Sequence, residues 1–149
     1  METTHDVLKH FIKDLHSAAR QQLDLLPKIA DAHEPLSDGL WKHFQEVKQQ
    51  LGRLNELIEK LELWDPESVH CKWMEGLVKE AKEILEESEW ADDEARTYAL
   101  VWALRRTKHY EIAWYETVKL CLDEEHHQVI DSIIGEAKNA DQKLVEYIS

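Results

Sequence analysis

The segment KHYEIAWYET, residues 108–117, brings three polar groups into what should be the buried stripe of a helix. At 100° per residue, Lys108, Glu111 and Tyr115 fall on one line of that stripe. A buried charge costs roughly several kcal/mol unless it is paired or bound to a metal. The segment therefore predicts either a buried ion pair or a functional site in the protein interior.

Polar residues also fall on the inner faces of the other long helices. Helical wheels place Gln50 and His43 near a buried arc, with Glu46 at its edge. Asp141 lies near the centre of the arc of the last helix, and Gln22 is central on the first. Two further polar residues are predicted to point away from the core, namely His16 and Glu136. A central site is the sharper interpretation, because helical bundles place metals there. A few core hydrogen bonds and one ion pair are the simpler one.

Four long amphipathic helices and one short helix must position these groups. Apolar residues spaced three and four apart predict helices over residues 4–32, 40–63, 72–87, 93–122 and 124–147. Capping preferences favour helix starts at Thr3 or Thr4, at Ser68, and at Asp92 or Asp93.

The order of these helices predicts an all-α fold. Two helical pairs joined by a connection with its own short helix are typical of a ferritin-like four-helix bundle with a long crossover. The 149 residues correspond to one domain, residues 1–149.

Composition excludes several classes of protein. The formal net charge of −13 argues against nucleic acid and anionic membrane surfaces as partners. No run of about 18 apolar residues is present, so no membrane span is expected. The start METTHDVLKH does not resemble a secretory signal, and two cysteines make no disulfide framework. We therefore expect a cytoplasmic protein with reduced thiols.

Four segments, in order along nearly the whole chain, resemble the YciE/YciF family of small bacterial ferritin-like proteins. CKWMEGL (residues 71–77) is similar to the family pattern C-x-x-M-E-G-L, and KHYEIAWYET to E-H-Y-E-I-A-x-Y-x-T. HFQEVKQQLGRL (43–54) is similar to H-x-x-E-T-x-x-Q-x-x-R-L. LHSAARQQLDLLPKIA (15–30) is similar to L-Y-D-A-E-K-Q-L-x-x-x-L-P-K-x-A.

The resemblance implies a ferritin-like bundle, commonly a homodimer, whose acidic residues face a dinuclear metal centre. The family is associated with stress, and its function is not settled. Five candidate metal ligands carry over by position: His43, Glu46, Gln50, Glu111 and Asp141.

Other acids of the family pattern are missing. Ala19 stands where the family has the Glu of A-E-K-Q, and Lys108 stands where a Glu precedes H-Y-E. Of the two glutamates in the last-helix run E-E-K-x-x-D only the first remains, as Glu136, and the second is Ala137. Trp114 replaces a small residue beside the retained acid.

These losses predict a degenerate metal site. A dinuclear iron or manganese centre needs about four carboxylates and two further ligands. The inward arcs supply Glu111 and Asp141, with Glu46 marginal. We expect the ammonium of Lys108 to supply the positive charge of the missing metal by pairing with Glu111 or Asp141.

Three functions compete at this point. The first is a non-catalytic, structural or stress-associated homodimer, with no cofactor expected. The second is an iron or manganese protein of oxidase or peroxidase type, with an atypical site built from His43, Glu46, Glu111 and Asp141. The third is an interaction module whose acidic surface binds a basic protein. Whether the protein is an enzyme stays open, with the ligand losses favouring a non-enzyme.

The tryptophans weakly favour the homodimer. Trp90, Trp102 and Trp114 are twelve residues apart, which rotates each by about 120° around an ideal helix. They cannot form one stripe, so some must face solvent or a partner chain.

Overall fold

A computed structural model describes residues 3–149, and the first two residues of the predicted domain lie outside this range. The chain forms an all-α bundle, as predicted. Its helices are α1 (Thr4–Ala32), α2 (Ser37–Lys60), α3 (Lys72–Glu86), α4 (Asp93–Cys121) and α5 (His127–Glu146). Short 3-10 turns precede α2, α3 and α5.

Two helical pairs form the bundle. α1 pairs with α2 and α4 with α5, and the pairs face each other because α1 also contacts α4 and α2 contacts α5. His33, at the end of α1, contacts Thr97 at the start of α4, so α1 and α4 are antiparallel. The connection from α2 to α4 therefore returns along the bundle, and it carries α3 across α1 and α4.

Side-chain caps mark the starts of α1, α3 and α4. The Thr3 hydroxyl accepts from the backbone N–H of Asp6, whose carboxylate accepts from the Thr3 N–H in return. Asp92 caps α4 through the N–H of Ala95. The prediction that Ser68 caps the short helix is wrong. Cys71 does so through its Sγ, and the Ser68 hydroxyl instead accepts from the ammonium of Lys13.

α1 is buried on most sides between residues 12 and 19, because α2, α3 and α4 all contact it. His16 is therefore in the interior, which contradicts the prediction that it points away. Its Nε2 lies 2.8 Å from Asn55 Oδ1, and its Nδ1 accepts from Arg20 Nε at 3.1 Å. A one-sided apolar stripe cannot describe a helix that has neighbours on three sides.

The apolar core consists of two clusters along the bundle axis. One includes Leu104 on α4 and Val47 on α2, and the other includes Tyr115 and Leu54 on the same two helices. On α4, Lys108 and Glu111 lie between Leu104 and Tyr115, and on α2, Gln50 lies between Val47 and Leu54. A polar layer therefore lies between the two apolar clusters.

The helices within residues 3–149 do not combine the length and apolar character that a membrane span requires.

Candidate functional site

The centre of the polar layer is a network of three buried side chains. Lys108 Nζ donates to Gln22 Oε1 at 2.6 Å and to Glu111 Oε2 at 3.1 Å. Gln22 Nε2 donates to the other carboxylate oxygen, Glu111 Oε1. All three residues are at most 3% exposed. The structure thus confirms the predicted Lys108–Glu111 pair and adds Gln22 as a bridge from α1.

The pair lies one helical turn apart on α4, so the same helix supplies both charges. Burial raises the pKa of Glu111 above its usual value, while the charge and hydrogen bond of Lys108 act to lower it. The ammonium thus offsets part of the cost of burying the carboxylate, and Gln22 donates to the other oxygen.

His43 and Glu46 form a second pair, on α2. His43 Nδ1 lies 3.1 Å from Glu46 Oε1, three residues further along the same helix. Burial, with the nearby charge of Lys108 as the second cause, lowers the pKa of His43 to about 4, so the ring is neutral at pH 7. Among residues 3–149, no group forms a hydrogen bond with its Nε2.

Gln50 connects α2 to α5. Its Nε2 donates to Glu136 Oε1 at 3.0 Å, and Arg53 Nη2 donates to the same oxygen at 2.6 Å. Arg53 also reaches Ser132 Oγ at 2.8 Å. Glu136 was predicted to lie well off the buried arc, but it is half-buried and is the only acid within this α2–α5 network of described residues.

The prediction that Asp141 faces the bundle centre is wrong. Arg105 binds it with two hydrogen bonds, Nε to Oδ1 at 2.8 Å and Nη2 to Oδ2 at 3.1 Å, and His109 Nε2 lies 3.0 Å from Oδ2. The buried stripe of α5 includes Ala137 and Ala140, so Asp141 lies at its edge, against α4. Partial burial acts to raise its pKa, but hydrogen bonds and charges from Arg105 and His109 hold the pKa below its usual value.

The two alanines that replace family acids are in the interior. Ala19 is 3% and Ala137 is 1% exposed. Restoring an acid at either position would therefore place a carboxylate inside the bundle.

The structure brings the predicted site residues together as separate pairs. Glu111 contacts Lys108, Glu46 contacts His43, and Asp141 contacts Arg105. Over residues 3–149, no three or more His, Cys, Asp or Glu side chains lie in an arrangement that could hold a metal ion.

A further cluster, partly buried, was missed by the sequence reasoning. The Cys71 Sγ lies 3.3 Å from the Tyr110 hydroxyl, which also donates to Asp14 Oδ2 at 3.3 Å. Tyr110 stacks on Trp114, with ring centroids 5.6 Å apart. Burial raises the pKa of the Cys71 thiol, which makes it a poor nucleophile. Residues about 40 to 100 positions apart meet here, and no local pattern indicates such a contact.

Comparisons with known proteins match almost the whole chain. The model of a family described as "Domain of unknown function (DUF892)" matches residues 3–149. Protein YciF of Escherichia coli (strain K12) is 32% identical over an alignment that covers 98% of this chain and 90% of YciF.

Two solved structures have the same architecture. The crystal structure of the E. coli stress protein YciF superposes with a TM-score of 0.91 at 31% identity, covering 99% of this chain and 96% of that one. The protein described as "YcfI, a putative structural protein from Rhodopseudomonas palustris" gives a TM-score of 0.85 at 33% identity, covering 96% and 93% of the two chains.

Proposed function

The chain belongs to the DUF892 family and is of the YciF type, and on that premise we propose that it is a non-catalytic, ferritin-like bundle protein whose dinuclear metal centre has been replaced by an internal salt bridge. One observation carries the proposal. The Lys108 ammonium, 1% exposed, lies 3.1 Å from Glu111 in the middle of the bundle.

The available donors fit a dinuclear centre poorly. Such a centre needs about four carboxylates and two further ligands that converge from facing helices. Glu111 is paired with a cation, and Asp141 is held at the bundle edge by Arg105. Ala19 and Ala137 supply no donor at two positions where the family pattern has acids. A protonated amine has no lone pair for a metal, and its charge repels one.

A structural or stress-associated role follows from the relatives' descriptions. E. coli YciF is described as a stress protein, and the Rhodopseudomonas palustris protein as "a putative structural protein". We extend these roles to this chain because the replaced site leaves the bundle intact, with both apolar clusters formed around it.

The same proposal includes a homodimer. Trp102 is 55% and Trp73 is 73% exposed, on two helices that pack against each other. Large exposed aromatic side chains are costly in water and are enriched at protein interfaces. Sedimentation equilibrium of the wild-type chain and of Trp102→Glu tests this part. A dimer that the substitution weakens is expected, and a wild-type monomer at high concentration contradicts it.

The metal content of the protein tests the central claim. The wild-type chain, produced in medium with added iron and manganese and purified without chelator, should hold far less than one equivalent of either metal. The variant Lys108→Glu/Ala19→Glu/Ala137→Glu restores the three family acids and should bind iron or manganese at a stoichiometry that elemental analysis detects.

A matched control changes the net charge equally on the surface. Lys138→Glu/Gln49→Glu/Gln142→Glu alters three exposed positions and should leave the metal content unchanged. Two equivalents of tightly held iron or manganese in the wild-type chain would overturn the proposal and favour the oxidase or peroxidase alternative. That measurement decides the matter even if the triple acidic variant fails to fold.

A further inference from the structure

The hydrogen bonds that join Cys71, Tyr110 and Asp14 all point in one direction. The Tyr110 hydroxyl donates to Asp14 Oδ2 at 3.3 Å, because an ionised carboxylate has no proton to donate. The phenolic proton is thereby used, so in the 3.3 Å contact between the two groups the Cys71 S–H donates to the Tyr110 oxygen. The backbone N–H of Met74 in turn donates to Cys71 Sγ at 3.4 Å. Both side-chain protons are therefore directed towards Asp14.

Trp114 connects this cluster to the protein surface. Its ring stacks on that of Tyr110, with centroids 5.6 Å apart and planes inclined by 15°. Trp114 is partly exposed, whereas Cys71 is fully buried and Asp14 is 8% exposed. Two aromatic rings in contact thus lead from solvent to a thiol that solvent does not reach.

Burial restricts the redox chemistry open to Cys71. Disulfide exchange and oxidation to a sulfenic acid both require an accessible thiolate. Cys71 is 0% exposed, and burial raises the pKa of its thiol. Loss of a hydrogen atom to a contacting radical needs neither a thiolate nor access to solvent. The Tyr110 oxygen is the atom that the S–H contacts, and phenolic O–H and thiol S–H bonds have similar strengths.

We propose that Trp114, Tyr110 and Cys71 form a relay that carries a one-electron oxidation from the protein surface to the buried thiol, with Asp14 as the proton acceptor. A one-electron oxidant, such as the carbonate radical anion, takes an electron from Trp114 and is itself reduced. Tyr110 gives an electron to the tryptophan radical cation while its phenolic proton moves to Asp14, which leaves a neutral tyrosyl radical.

The last step transfers one hydrogen atom. The S–H hydrogen of Cys71 moves to the Tyr110 oxygen, which restores the phenol and leaves a thiyl radical on Sγ. Asp14 then releases the phenolic proton to solvent. In sum, the oxidant gains one electron, and the thiol loses one electron and one proton.

The entry point of the relay is particular to this chain, because the family pattern has a small residue at the position of Trp114. The relay involves no metal, so it does not depend on the proposed loss of the metal centre.

Light-driven oxidation from a fixed position tests the proposal. In the background Thr117→Cys/Cys121→Ser, a thiol-reactive ruthenium polypyridyl complex is attached at position 117, which is exposed and lies three residues after Trp114 on α4. Cys71 is buried and stays unlabelled. A light flash with a soluble electron acceptor converts the complex to a one-electron oxidant. Transient absorption then follows the tryptophan radical, and electron paramagnetic resonance of rapidly frozen samples detects the tyrosyl radical.

Cys71→Ser, made in this background, isolates the last step. The serine hydroxyl still caps α3, but its O–H bond is too strong to give up a hydrogen atom. Cys71→Ser should therefore show a tyrosyl radical that is more abundant and longer-lived than in the chain with Cys71. Adding Tyr110→Phe should remove the signal, whereas adding Tyr98→Phe, at an exposed tyrosine, should retain it. No tyrosyl radical in Cys71→Ser, or one that survives Tyr110→Phe, would overturn the proposal.

Asp14→Asn tests the proton step without disturbing the aromatic stack. The amide oxygen still accepts a hydrogen bond from Tyr110, but it cannot take the proton. The yield of the tyrosyl radical should fall and the tryptophan radical should persist, whereas Asp24→Asn, at an exposed carboxylate, should have neither effect. Equal tyrosyl yields with and without the Asp14 carboxylate, or equal lifetimes with Cys71 and with Cys71→Ser, would show that the hydrogen bonds serve packing alone.

Discussion

Replacing Lys108 by Met removes the only cation that contacts Glu111 among the described residues. The carboxylate, 3% exposed, keeps only the hydrogen bond from Gln22. Breaking a buried pair in this way costs about 3–5 kcal/mol of unfolding free energy. For a chain of 149 residues that loss corresponds to a decrease in Tm of roughly 6–20 °C.

Two control variants separate the charge effect from a packing effect. Lys108→Met/Glu111→Gln removes both charges, and its amide can still accept from Gln22, so it should recover much of the stability. Lys138→Met changes an exposed lysine of α5 and should alter stability by no more than about 0.5 kcal/mol.

The stability loss should also depend on pH. Without the ammonium, the pKa of Glu111 in the folded state rises further above the unfolded value of about 4.3. A group whose folded pKa is raised contributes stability that is fully present below its unfolded pKa and is lost as pH rises. Lys108→Met should therefore be most destabilising near pH 7 and less so near pH 5.

Chemical denaturation at pH 5 and pH 7, with thermal melts followed by circular dichroism, measures both effects. An unchanged Tm for Lys108→Met would refute the idea that the ammonium stabilises a buried carboxylate. A stability loss that is the same at both pH values, and that Glu111→Gln does not relieve, would assign the effect to lost packing.

Three further predictions follow from the other buried and half-buried groups. Cys121 is partly exposed and should react with a thiol reagent in the native state. Cys71 is fully buried with a raised pKa and should react only on unfolding; mass spectrometry of the labelled protein distinguishes the two thiols. Burial lowers the pKa of His33, so neutral His33 contributes stability that is present above about pH 6.5 and lost on acidification. His33→Asn should therefore make the unfolding free energy fall less steeply below that pH, and an unchanged dependence of the unfolding free energy on pH would contradict this. Arg105→Ala should cost only about 0.5–1 kcal/mol at pH 7, because its pairing with Asp141 is partly exposed, and a loss above about 3 kcal/mol would contradict the edge position of that carboxylate.

Part of the site followed from periodicity alone. Lys108 and Glu111 lie on one line of α4, and a helix fixes their relative position without help from the rest of the fold. The same holds for His43 and Glu46, which lie three residues apart on α2. Local geometry thus determines contacts within one helix.

The errors arose where the neighbours of a helix decide what is buried. Asp141 and Ala140 are adjacent in sequence, and only the position of α4 makes the alanine central and the aspartate an edge residue bound to Arg105. His16 was misplaced because α1 has neighbours on three sides. A helical wheel gives the direction of each side chain but not the number of helices that surround it.

The sequence by itself determined the helices, their order and the excess of negative charge, because apolar spacing and capping act over a few residues. Tertiary structure alone decided that Gln22 bridges Lys108 and Glu111, that Glu136 joins Gln50 and Arg53, and that Cys71 meets Tyr110. These contacts join residues far apart in the chain. Their partners are set by how the helices pack, and no short segment carries that information.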